Sequence, residues 1–172
     1  MEILDLSNLP KEIEDFFEIL NRGTDLACVL VGTNFLDVSL HDMLSFSLKK
    51  GKTTSQILNH DKGFLGSFRS RLDLCYCMGL IDKKVYQDLM KISEIRNIIA
   101  HSRILEVFQN KDILKKCDEL HHWKILNSGL TRKLFESNSN QAIRNKFKLS
   151  IVIISQKLLL KIRGIEKENK LS

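Results

Sequence analysis

The chain of 172 residues holds one proline, Pro10, and eight glycines. With so few breakers, a many-turned β sandwich is disfavoured and long helices are expected. Its four cysteines, Cys28, Cys75, Cys77 and Cys117, form no Cys-x-x-Cys pair and no dense framework. They read as reduced thiols in a cytosolic chain. No apolar run approaches the roughly 18 residues that a membrane span needs. The first 20 residues are acidic and lack the basic segment and apolar stretch of a secretory signal. Internal repeats and low-complexity segments are also missing.

What is present is globular: 43% hydrophobic and 28% charged residues, at a length suited to a single domain. The charge is uneven. Residues 1–25 carry seven acidic and two basic side chains, a net of −5, and residues 123–172 carry eleven basic and three acidic, a net of +8. A basic half attracts polyanions, although charge runs on helices are more often solvated surface.

The periodicity predicts an all-α bundle of about five main helices. The first spans about Asn8 to Asn21, with Asn8 as a cap and Gly23 beyond its end. The second runs from a cap at Thr24 or Asp25 to about Leu48, and a basic loop, Lys49 to Lys52, follows it. The third begins near Phe64 or Gly66 and stops at Gly79, which suits a left-handed cap. Asp82 caps the fourth, which reaches about His101. The last covers about Gln141 to Ile162, within a closing segment of 141–164. Its apolar residues Ile143, Phe147, Ile151, Ile154, Leu158 and Ile162 recur every three or four positions, so Arg144, Lys148, Lys157 and Lys161 are expected to face outward. Between them lie a shorter helix, about Lys111 to His122, and a polar loop, together a variable insertion over 104–140.

The most informative stretch closes the fourth helix: Ser93-Glu-Ile-Arg-Asn-Ile-Ile-Ala-His-Ser102. At about 100° per residue from Val85, Leu89, Ile92 and Ile99 form an apolar stripe, and Arg96 falls about 20° from its reference, inside it. A guanidinium there needs a buried acid, such as Asp73 or Asp37, or a cleft. Asn97 and His101, four apart, share another face. The bare Arg-x4-His pattern is weak, with about 0.2 expected by chance in such a composition. On the second helix Asn34, Asp37 and His41 share a face. Cys117, His121 and His122 suit metal ligands in spacing, but no further pair completes a tetrahedral set, so no metal and no cofactor is expected. Trp123 with its two histidines reads as a partly buried anchor. Gly63, Gly66 and Ser67 open a helix without the Lys-Ser/Thr of a phosphate loop.

Arg96-Asn-Ile-Ile-Ala-His101 resembles the Arg-His signature of the HEPN superfamily, all-α domains that include metal-independent RNases. Gly63-Phe-Leu-Gly-Ser-Phe-Arg-Ser-Arg-Leu-Asp-Leu-Cys-Tyr-Cys-Met-Gly-Leu-Ile81 is similar to a glycine-led block of the mannitol operon repressor (MltR) family. The likeness covers about Arg22 to Arg103, within one HEPN-like domain over 1–172. Phe64 departs from it, standing where the family often has Pro. So does Arg103, standing where some HEPN toxins carry a modified Tyr. The HEPN resemblance implies a toxin-like endoribonuclease in the cytoplasm, acting on RNA at a homodimer cleft. Arg96, Asn97 and His101 would be catalytic, and Arg71, Arg103 and Asp37 would contact substrate. An RNA 2′-hydroxyl supplies the nucleophile, histidine can move the proton, and arginine stabilises charge on the phosphate. An antitoxin or regulatory protein would be its partner. The mannitol repressor resemblance implies the alternative, a non-catalytic transcriptional regulator acting as a protein-interaction module. No helix-turn-helix, zinc finger or basic zipper is legible for reading bases directly.

Overall fold

The computed structural model describes residues 10–101, 106–126, 135 and 139–171. Seven α-helices occur among them: α1 Lys11–Arg22, α2 Asp25–Ser47, α3 Lys52–Ile57, α4 Phe68–Cys77, α5 Lys83–Ala100, α6 Lys111–Asp118 and α7 Asn140–Leu171. Short 3-10 turns cover Val107–Gln109 and His122–Leu126. No strand occurs among the described residues, as the all-α expectation requires.

The helix ends follow local chemistry. Thr24 caps α2 by accepting from the Ala27 N–H, Ser67 caps α4 through Ser70 N–H, and Asp82 caps α5 through Val85 N–H. These side chains satisfy donors that the first turn leaves free. Gly79 takes φ 69° after α4, where any side chain would be strained. Asn8 lies outside the described residues, and Pro10 takes the cap position of α1.

The long helices α2 and α7 lie against each other as the centre of the bundle. The second packs α1, α4 and α5 on its flanks, and α7 packs α1 and α6. Gly32 lets α2 approach closely: a Cβ there would stand 3.1 Å from the Ile151 side chain. The predicted α7 stripe is fully buried, from Ile143 to Ile162. The outward expectation fails for two of its four cations. Because α7 is central, Lys148 is also buried and donates to Asn21 Oδ1 at 2.7 Å. Arg144 turns in to Asp25 at 3.0 Å and to the carbonyls of Leu20 and Gly23. Only Lys161 is fully exposed. Burial and the neighbouring Arg144 guanidinium hold the Lys148 amine below its ordinary value.

Two further differences concern length. The short α3 was not expected, because six residues give little periodic signal. The helix expected over Lys111 to His122 ends at Asp118, where the chain turns to bring His121 and His122 back onto α5.

Candidate functional site

A cleft of about 560 Å³ opens between α2, the start of α4 and the end of α5. Leu30, Thr33, Asn34 and Asp37 line it from α2, Gly66 to Arg69 and Arg71 from the start of α4, and Ser93, Arg96 and Asn97 from α5. A second cleft of about 590 Å³ lies beside it and shares His60. It is bounded by His41, Ser45, Lys50 and the α3 residues Thr54 and Ser55, with Asn59 and Asp61 beyond them.

Arg96 is exposed, which corrects the helical-wheel position inside the core. The buried face of α5 is rotated: it runs through Val85, Asp88, Leu89, Ile92, Ile95 and Ile99. Asp88, and not Arg96, is the charged residue that this face buries. The guanidinium reaches the cleft, with Nη1 3.3 Å from Asn97 Oδ1. Neither acid proposed for it is available. Asp73 accepts from Arg69 Nε at 2.8 Å and from the Tyr86 hydroxyl at 2.8 Å, and Asp37 belongs to Arg71.

Arg71 is 1% exposed. Its Nε and Nη2 donate to Asp37 Oδ1 at 3.1 and 2.6 Å, and its Nη1 donates to the carbonyls of Leu65 and Gly66, both at 3.0 Å. His60 Nδ1 faces Nη2 at 3.5 Å. The expected phosphate ligand is thus a clamp that fastens the loop before α4 to α2, its N–H donors spent inside the chain. Such a buried pair is strongly unfavourable to break, since one partner would remain charged and alone.

His101 follows the last residue of α5 as an exposed cap, and its N–H bonds back to the Asn97 carbonyl. It is not among the residues lining the cleft, so one chain brings together Arg96, Asn97, Asp37 and Arg71 there but not His101. Arg103 lies outside the described residues. His41 lines the neighbouring cleft, its ring stacked 5.7 Å from that of His60.

The structure also assembles a group that spacing did not reveal. Asp88, fully buried, accepts from the backbone N–H groups of His121 and His122 and from both Nδ1 atoms at 2.7 Å. Burial alone would raise this carboxyl, but the hydrogen bonds from His122 and His121 outweigh it and hold it below the ordinary carboxylate value. His122 Nε2 stands 3.1 Å from Lys157 Nζ. Hydrogen bonding then assigns the proton to Nδ1 and leaves Nε2 as acceptor. The legible signal was Asp88 itself, an acid three residues after Val85 and four before Ile92, where a partner is obligatory. The histidines are spent on it, and Cys117 is buried, its thiol pushed upward by desolvation. No group of three such side chains among the described residues is arranged to hold a metal ion. Trp123 is half-buried, with its indole N–H on the Cys117 carbonyl and Lys146 over its ring, consistent with an anchor.

No helix among the described residues is long and apolar enough to cross a membrane. No curated protein sequence matches the chain. Among solved structures, it is similar to a chain in the X-ray structure of the MtlR-HPr complex from Escherichia coli. The TM-score is 0.71 at 22% identity, over 87% of this chain and 99% of that one, a likeness of fold. The model of the mannitol repressor family matches residues 52–165. This match takes in the loop before α4, the end of α5 and most of α7, beyond the stretch of Arg22 to Arg103 that carried the resemblance. The chain belongs to the mannitol repressor family.

Proposed function

We propose that this chain is a regulator of the mannitol-operon type that works by binding another protein. The observation that carries the reading is the family match across 52–165, joined by the fold it shares with a chain of the MtlR-HPr complex. The disposition of charge supports it. Much of the basic half is occupied within the molecule: Arg144 on Asp25, Lys146 on Asp118, Arg163 on Glu12 and Lys157 on Asp82 and His122. Cations so engaged are poor material for a phosphate-tracking surface. Titration calorimetry of the full chain with HPr tests the reading. Saturable binding with a fixed stoichiometry is expected, and no heat and no co-elution on gel filtration would overturn an HPr-type partnership.

A HEPN-type endoribonuclease is the second reading, and its support is Arg96 and Asn97 on an open cleft. It requires a second copy of the chain to bring His101 to that cleft. Incubating the chain with single-stranded RNA, beside Arg96→Ala and His101→Ala variants, decides it. Cleavage lost in both variants would favour the nuclease, whereas equal cleavage in all three proteins would mark a contaminant.

A further inference from the structure

Between α3 and α4 the chain forms a loop, residues 58–67, that is fixed from within. Leu65 is buried and its N–H donates to the Ile57 carbonyl at 2.7 Å. Asn59 Oδ1 accepts from the N–H groups of Asp61 and Lys62, both at 3.0 Å. Gly63 and Gly66 sit so close to their surroundings that a Cβ would lie 2.6 and 2.7 Å from the Asn59 carbonyl oxygen. Arg71 holds the carbonyls of Leu65 and Gly66. In the middle of this pinned loop, Phe64 is 86% exposed. An aromatic ring presented to water by rigid backbone has no role in the core, and it loses little conformational freedom on binding.

The surroundings are positive. Among the described residues, Lys50, Lys52 and Lys62 are exposed with no carboxylate within 4.0 Å, and Arg96 has only Asn97. Among the described acids here, Asp37 is held by Arg71, while Asp61 and Asp42, the latter 3.3 Å from His41 Nδ1, have no Lys or Arg partner. His60, in the loop itself, forms a wall of both clefts. An apolar tip on a fixed loop that helps wall two clefts, with four free cations against two acids, makes a surface of defined chemistry.

We propose that this loop, with Phe64 as its anchor and Lys50, Lys52, Lys62 and Arg96 around it, is where the chain docks an acidic segment of a protein partner that carries an apolar seat for the ring. The proposal rests on the reading of the chain as a protein-binding regulator and names the surface and the partner's chemistry. A single-stranded nucleic acid would also meet the cations, but it gains from several stacking rings in succession. Among the described residues near the loop, only the Phe64 ring is strongly exposed: Phe68 is half-buried, the His41 and His60 rings are stacked on each other, and Tyr76, at the opposite end of α4, is stacked on Tyr86.

Amide chemical-shift mapping of the full chain tests the surface. The probes are the acidic peptide EELFEE, HPr, and oligouridylate as the competing class. The peptide should shift amides of 50–52, 58–67 and 96. Phe64→Ala should weaken binding about tenfold, the loss expected of an interface anchor. The double variant Lys50→Glu, Lys52→Glu should do at least as much, and Lys161→Glu, the same charge reversal at one site on α7, should leave binding unaltered. Phe64 and these lysines are exposed, so circular dichroism should show each variant folded. HPr that binds with this footprint supports both surface and regulator. HPr that binds elsewhere overturns the surface and leaves the regulator standing. A peptide that binds here while HPr does not keeps the surface and removes the HPr-type reading. The surface is also overturned if the peptide shifts other amides, if Lys161→Glu weakens it equally, or if only oligouridylate moves these residues.

Discussion

Two basic regions of this molecule behave in opposite ways. On α7, Arg144, Lys146 and Lys148 turn toward the bundle, where each meets a carboxylate or amide oxygen. Around α3 and its following loop, Lys50, Lys52 and Lys62 stand in solvent with no acid beside them among the described residues. By count alone the C-terminal third is the basic end of the chain. By availability, the corner at α3 has the free charge. Net charge along a sequence therefore says little about which surface attracts a partner. Pairing decides that, because a cation already satisfied at 3 Å projects a much weaker field into water.

The comparison can be broken most severely at the loop clamp. Arg71→Ala should cost about 3–5 kcal/mol in urea denaturation, because Asp37 and two loop carbonyls lose their buried donor; a loss below about 1 kcal/mol would mean the clamp is dispensable. Asp88→Asn should cost about 3 kcal/mol, since an amide N–H₂ would meet donors from His121 and His122. Its pH signature has a definite sign. The folded carboxyl titrates below the ordinary value of 3.8. Its stabilisation is therefore complete above that value and lost as the pH falls through the folded one. Below about pH 4 the wild type should lose stability more steeply than Asp88→Asn, measurable by thermal melts across that range. Arg144→Ala removes a donor from the joint between α1 and α2 and should cost about 2–3 kcal/mol, while Lys52→Ala should change stability by less than about 0.5 kcal/mol. Equal effects of these two substitutions would erase the distinction between paired and free cations. The smallest test uses thiols. Burial pushes Cys28 up to about 11 and Cys75 up to about 12, whereas Cys77 is exposed. A disulfide reagent at pH 8 should label Cys77 at once and the other three only on unfolding.

Much of the fold was legible because its signals are local. Thr24 and Asp82 announce helix starts through bonds three residues long, and Gly79 marks an end through its own backbone angle. The buried stripe of α7 follows from its period. The site was legible only in part. Arg96 and Asn97 do reach a cleft, as the cost of burying a guanidinium among isoleucines suggested. Arg71 was readable as a basic residue in a family-like block, but not as a clamp. Its partner Asp37 lies 34 residues away, and nothing in the spacing announces the pair. Asp88 carried a clue that the reading of this helix passed over, because an acid on an apolar stripe must be satisfied by something.

The sequence by itself determined an all-α chain, the ends of α2 and α5, the core face of the last helix, though not its extension to Leu171, and the family block that contains α4. Each of these depends on neighbours within a turn or two of helix. Only the tertiary structure decided which charges are spent and which are offered. Arg144 meets Asp25 across 119 residues, while Lys52 meets no acid among the described residues. Ion pairing is a contact between distant parts of the chain, fixed by how α2 and α7 pack and carried by no local pattern.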